Sequence, residues 1–119
     1  MNTRQVGRIG ERIAVNYLKK RGYRIIATNW TCNFGEIDIV AEKQNLVFVE
    51  VKSAYSGLCS PDELFTYQKK AKLTRTIKKY LSILVVEGKS CPEWQVDLIC
   101  ITKSNGKFFL KHYDNVIQF

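Results

Sequence analysis

Hydrophobic residues recur at every third or fourth position from Val6 to Leu18, and at alternate positions through Val47, Val49 and Val51. The first spacing predicts an amphipathic helix from Asn2 or Thr3 to about Arg21, stopped by Gly22. Val6, Ile9, Ile13, Tyr17 and Leu18 form its buried stripe, with Arg8, Arg12, Asn16 and Lys19 on the other side. Gly7 and Gly10 each cost up to about 1 kcal/mol relative to Ala in a helix, a cost that close approach of this first turn to a sheet would offset.

Tyr23–Thr28 reads as a first strand, and Asn29–Phe34 as a polar connection whose Trp30 lids the core. Gly35–Ser53 reads as two strands and a tight turn, with Ile37, Ile39 and Val40 before it and the β-branched valines after it. A three-residue loop, Lys43-Gln44-Asn45 with Asn45 left-handed, sets Asp38 opposite Glu50 and Glu36 opposite Lys52. Strict alternation places all four on one sheet face. Like charges facing each other across strands are destabilising, and buried charges need a partner or a metal. A divalent cation between Asp38 and Glu50 would relieve the repulsion, since Mg²⁺ is commonly held by a pair of carboxylates and water. The competing reading is two ion pairs on a solvated face.

Ala54–Cys59 carries no regular pattern, and Ser60-Pro61-Asp62-Glu63 has the form of a capping box. The helix it opens extends to about Val86, with a break near Thr66 and a core face of Leu73, Ile77, Tyr80, Leu81 and Leu84. Lys69, Lys72, Arg75 and Lys79 step by three and four along another face, a solvated surface or a phosphate-tracking one. Trp94–Thr102 is a strong strand containing Asp97, read as structural. Ser104-Asn105-Gly106 is a hairpin turn, and Lys107–Tyr113 a final edge strand. His112, the only histidine, has no partner motif near it and reads as a surface or packing residue. The element order is that of an α/β domain with a mixed β-sheet flanked by helices.

Composition narrows the function. One domain of 119 residues carries 19 Lys+Arg against 11 Asp+Glu, net +8, with a pI near 9.4. That balance suits a polyanionic partner, most often nucleic acid. No apolar stretch of about 18 or more residues is present to span a bilayer, and the polar N-terminus has no secretory apolar region. Cys32, Cys59, Cys91 and Cys100 are scattered without a CxxC pair, so reduced thiols in a cytoplasmic protein are expected.

Asp38, eleven intervening residues and Glu50-Val51-Lys52 resemble the D…ExK core of the restriction-endonuclease-like, or PD-(D/E)XK, nuclease superfamily. More narrowly, Gly10–Tyr23, Asn29–Asp38 and Phe48–Lys52 together resemble the small bacterial YraN-type family of predicted endonucleases. The resemblance implies a restriction-endonuclease-like core and a Mg²⁺- or Mn²⁺-dependent nuclease acting on DNA, or on RNA or branched DNA. Asp38, Glu50, Lys52 and Glu11 would be catalytic, with Asp38, Glu50, Glu11 and the Val51 carbonyl holding metal and Glu36 accessory. Glu11 also borders the buried stripe of its helix. Lys69, Lys72, Arg75 and Lys79 would contact nucleic acid. The chain departs from the family at Ser53-Ala54, where threonine and arginine are usual, and at Gln95-Val96, where an Arg-Phe pair is common. The alternative is a non-catalytic nucleic-acid-binding module with a vestigial site. Oligomeric state is open.

Overall fold

In the computed structural model, which describes residues 3–54, 61 and 65–117, the helical stripe folds as α1 (Thr3–Lys20), ended by Gly22 at φ 89°. The strands β1 (Arg24–Cys32), β2 (Gly35–Glu42) and β3 (Leu46–Ala54) follow. Helix α2 (Tyr67–Val86) then leads to β4 (Trp94–Ser104) and β5 (Lys107–Tyr113). All five strands form one sheet in chain order. Only β3 and β4 run parallel, and α2 supplies the crossover that a parallel pair requires. The fold is therefore mixed α/β: among the described residues, a five-stranded mixed sheet with two long helices.

The helices cover opposite faces. Ala14 and Leu18 of α1 pack on Ile39, Ala41, Val47, Val49, Ile99 and Ile101. Leu73, Ile77, Tyr80 and Leu81 of α2 pack on Ile37, Val40, Leu46, Phe48 and Val96. Burying both sheet faces explains the apolar density of β3, which a one-sided sheet would have diluted with alternating polar residues.

The hairpin register is the expected one for Ile39↔Val49, Val40↔Phe48, Ala41↔Val47 and Glu42↔Leu46. Its loop differs: Asn45 is not left-handed, and its side-chain amide instead donates to Gln95 Oε1 at 3.1 Å. Strand β1 is longer than its apolar pattern, because Trp30, Thr31 and Cys32 pair with β2, down to Cys32↔Gly35. As an edge strand it keeps Thr28, Asn29 and Thr31 in solvent. Trp30 does lid the core, edge-to-face on Tyr80 at 5.2 Å. Helix α2 begins after Thr66, whose hydroxyl accepts the Lys69 amide. The capping box at residues 60–63, apart from Pro61, lies outside the described residues.

A Cβ on Gly10 would lie 2.0 Å from Ser53 Oγ, so this glycine lets α1 touch the end of β3. Gly7 has nothing within 4 Å, and the same expectation fails there. Cys32 and Cys91 carry free thiols, but Cys100 is disulfide-bonded, against the expectation of four reduced cysteines. Among the described residues, no helix is long and apolar enough to cross a membrane.

Candidate active site

Strands β2 and β3 pair no further than Ile39↔Val49. Beyond that point β3 continues along β4, with Glu50↔Leu98 and Lys52↔Cys100. Strand β2 stays with β1, through Trp30↔Ile37 and Thr31↔Glu36. At this fork Asp38 Oδ2 accepts the Val51 backbone N–H at 2.8 Å, so a side chain takes over where the ladder stops. Strand β2 also changes face here. Ile37 belongs to the core under α2 and Ile39 to the core under α1. Asn29, between the pairs Thr28↔Ile39 and Trp30↔Ile37, has φ 50°.

The break in alternation corrects the expectation that four charged residues share one face. Asp38 lines a cavity of about 310 Å³ with Glu11, Arg8 and Arg12 of α1. Glu36, Glu50, Val51 and Lys52 line a cleft of about 270 Å³ on the α2 side. Glu36 does not pair with Lys52 in the ladder, and no ion pair joins them among the described residues.

The two sides still form one electrostatic group. Burial is the main cause raising the Glu50 carboxyl to about 8; the Asp38 and Glu36 charges add to it and the Asp38 amide opposes it. Burial likewise raises Asp38 to about 6, against the pull of the Val51 amide, with Glu11 and Glu36 raising it further. Glu11 thus acts on both acids from α1. Glu50 Oε1 is buried and has no hydrogen-bond partner. A buried acceptor without a donor is costly, and a proton or a cation would satisfy it. The oxygens of Glu11, Asp38 and Glu50 do not, however, converge within 4.8 Å as a ready-made group of three.

The basic stripe on α2 divides. Lys69 and Lys72 line the cleft opposite Glu50 and Lys52. Arg75 instead sits over the Phe34 ring, its Cζ 4.6 Å from the centroid. Lys79 is exposed one turn further on.

A second cluster lies under α1, on β4, β5 and the residue that follows β5. Asp97, His112 and Asp114 bring ligand atoms within 4.8 Å of one another, the one such group among the described residues, and are compatible with a metal ion. The cluster is also satisfied without one. His112 Nε2 lies 2.8 Å from Asp97 Oδ2 and 3.2 Å from Asp114 Oδ1, and Nδ1 lies 2.9 Å from the Tyr17 hydroxyl. Asp97 Oδ1 accepts Gln95 Nε2 and the Asn115 amide. Burial pushes Asp97 up, but the hydrogen bonds from His112, Asn115 and Gln95 outweigh it and hold the carboxyl below its usual value. Asp97, read from the sequence as structural, makes hydrogen bonds to β4, β5 and the chain after it. His112, expected from the sequence to have no partner near it, has three: Asp97, Asp114 and Tyr17. Its signal was the Asn105-Gly106 turn, which fixes a β4–β5 register that carries Asp97 to Asp114, with His112 beside them on the same face.

Residues 10–101 match the profile described as uncharacterised protein family UPF0102. The chain belongs to the UPF0102 family. A UPF0102 protein of Clostridium botulinum (strain Hall) is 35% identical over 117 residues, covering 97% of this chain and 95% of its own. Another, of Carboxydothermus hydrogenoformans, is 37% identical over 121 residues, covering 100% of both chains. The UPF0102 match contains Glu11, Asp38, Glu50, Lys52 and α2, and ends before His112 and Asp114.

Proposed function

We propose that this UPF0102 protein is a metal-dependent nuclease, with a restriction-endonuclease-like core, that hydrolyses phosphodiester bonds of nucleic acid, DNA in the first instance. The observation that carries the reading is the orphaned buried oxygen of Glu50 beside Asp38, at the fork between two strands. Burial is the main cause raising both acids; the Asp38 and Glu36 charges add to it at Glu50, and the Glu11 and Glu36 charges add to it at Asp38. That is the state of a carboxylate pair fitted for a cation it must share.

Asp38, Glu50, Glu11 and the Val51 carbonyl would hold Mg²⁺ or Mn²⁺. When bound, the ion supplies Lewis acidity, which makes water nucleophilic near neutral pH and offsets phosphate charge. The chain's own groups do the remainder. Lys52 enters the cleft from the same strand as Glu50, where its ammonium orients water or binds a phosphate oxygen. Lys69 and Lys72 face it from α2 and hold the substrate phosphate. Glu36, on the cleft wall, adds negative charge that draws the cation and excludes a second phosphate.

One observation favours the non-catalytic alternative: Asp38 Oδ2 is already occupied by the Val51 amide, and the three acids do not converge unaided. Incubating the protein with labelled single-stranded and duplex oligonucleotides, with and without Mg²⁺ or Mn²⁺, separates the two. Cleavage that needs the metal and vanishes in Glu50→Gln supports the nuclease. Binding without cleavage under every metal condition leaves the binding module.

A further inference from the structure

Arg75 is exposed, yet its guanidinium is not loose. Its Cζ sits 4.6 Å above the centre of the Phe34 ring, in the turn that joins β1 and β2. That turn is itself held against α2: a Cβ on Gly35 would come within 3.0 Å of Thr76 Oγ1 and 3.2 Å of Lys72 Cε. Phe34 and Arg75 therefore meet beside the cleft, each next in sequence to a residue that lines it, Gly35 and Thr76. A planar cation seated on an aromatic ring presents a flat face outward with little rotamer freedom left to lose.

We propose that the Phe34–Arg75 pair is a base-stacking platform, so that the site takes an unpaired strand, with a phosphate between Lys72 and Lys52 and the adjoining base on Arg75. This rests on the nucleic-acid reading above and deepens it by naming the substrate class. Lys72 and Arg75 are three residues apart on one helix, so their side chains emerge about 5–6 Å from each other, a spacing that suits a phosphate and its own base. The cleft holds about 270 Å³, near the lower limit of ligand pockets, and takes one nucleotide-sized unit rather than a base pair. In a duplex each base face is covered by its neighbours, whereas single strands offer theirs to aromatic rings and guanidinium planes.

The position of Arg75 also separates it from the rest of the stripe. Lys69 and Lys72 line the cleft and meet phosphate as point charges. Among the described residues, Arg75 is the one member of the four seated on an aromatic ring, where a lysine would keep the charge and lose the plane.

The test is fluorescence anisotropy on the full chain, in EDTA to prevent cleavage, with three probes of equal length. These are a mixed-sequence single strand, the same strand made wholly abasic, and the duplex. The wild type binds the base-bearing single strand about tenfold more tightly than the abasic one. Arg75→Lys and Phe34→Leu reduce that ratio to below twofold while leaving abasic affinity unchanged. Lys72→Ala weakens both single strands alike. Equal wild-type binding of base-bearing and abasic strands overturns the platform and leaves the nucleic-acid reading standing, as does an Arg75→Lys protein that keeps the preference. No binding of any probe at low salt overturns both.

Discussion

Asp38 Oδ2 accepts the backbone N–H of Val51 at 2.8 Å, just past the last paired residues of β2 and β3. One carboxylate therefore closes the fork between two strands and stands beside the acid that follows in the next strand. The two roles come apart by substitution. Asn keeps an acceptor for the Val51 amide but removes the charge, whereas Ala leaves that amide unpaired, which costs about 1–3 kcal/mol. Asp38→Ala is expected to lose stability on that scale in urea unfolding, and Asp38→Asn to remain near wild type. Calorimetric Mg²⁺ or Mn²⁺ binding is lost in both. An Asp38→Asn protein that still binds metal at wild-type affinity moves the site elsewhere.

The raised acids set the pH dependence of the metal-free protein. Asp38 and Glu50 ionise near 6 and 8 when folded, against 3.8 and 4.5 for the ordinary groups. The unfolded chain therefore releases these protons first. Stability from this pair is fully present below about pH 4 and is lost as pH rises through the folded values. In EDTA, melting temperature is expected to fall between about pH 5 and pH 9, with a flatter profile in Glu50→Gln. Excess Mg²⁺ is expected to oppose the fall. A Glu50→Gln profile parallel to wild type would show that this carboxyl is not the group being titrated.

Two glycines in α1 make opposite predictions. At Gly10 a Cβ meets Ser53 Oγ at 2.0 Å and Ser53 Cβ at 3.2 Å, so Gly10→Ala forces an overpacked contact costing about 1–3 kcal/mol. Gly7 has open space around it, and Gly7→Ala gains up to about 1 kcal/mol of helix propensity. Thermal unfolding of the two variants reads the difference directly. A neutral Gly10→Ala would mean that α1 shifts freely against β3.

These particulars show which features the sequence carried. Register was legible because the apolar runs on either side of residues 43–45 admit one pairing that buries both, and the observed pairs obey it. The change of face at Asp38 was not, since it depends on Asn29 taking φ 50° in a neighbouring strand, and an Asn in a polar run signals nothing alone. The split of the α2 stripe was hidden for a similar reason: Phe34, which captures Arg75, is 41 residues away in sequence. His112 was legible in part, through the register of its turn, but its hydrogen bond to Tyr17 spans 95 residues.

The Asp97–His112–Tyr17 chain ties β4, β5 and α1 together, with the Asp97 and His112 side chains nearly enclosed. Removing a hydrogen-bond partner of a buried charged group costs about 1.5–3 kcal/mol, and His112→Ala is expected to lose on that order. Asp97 is held below its usual value, so its stabilisation is present above the unfolded value of 3.8 and is lost as pH falls through the lower folded value. Acid unfolding of His112→Ala is therefore expected at higher pH than in wild type. Zn²⁺ or Mn²⁺ that raises the wild-type melting temperature but not that of His112→Ala would assign this cluster a metal of its own.

Lys52 decides whether the cleft performs chemistry. Its ammonium lies in a cleft with Glu50 on one wall and Lys69 and Lys72 on the other, and no ion pair with Glu36 occupies it among the described residues. A purely structural lysine would be tied to an acid and would cost stability on removal. A lysine acting on the scissile phosphate or on the attacking water instead acts mainly in the transition state, where developing charge makes a fixed donor worth most. Lys52→Ala is therefore expected to melt within a degree or two of wild type and to bind metal normally, with oligonucleotide binding weakened far less than cleavage. Cleavage is expected to fall by about 10²–10³, chiefly in kcat, because the contact is stronger in the transition state than in the ground state. Lys79→Ala, one turn beyond Arg75 on the exposed surface of α2, serves as the contrast and weakens binding at low salt with kcat unchanged. A stably folded Lys52→Ala protein that cuts at the wild-type rate sinks the nuclease assignment of this site.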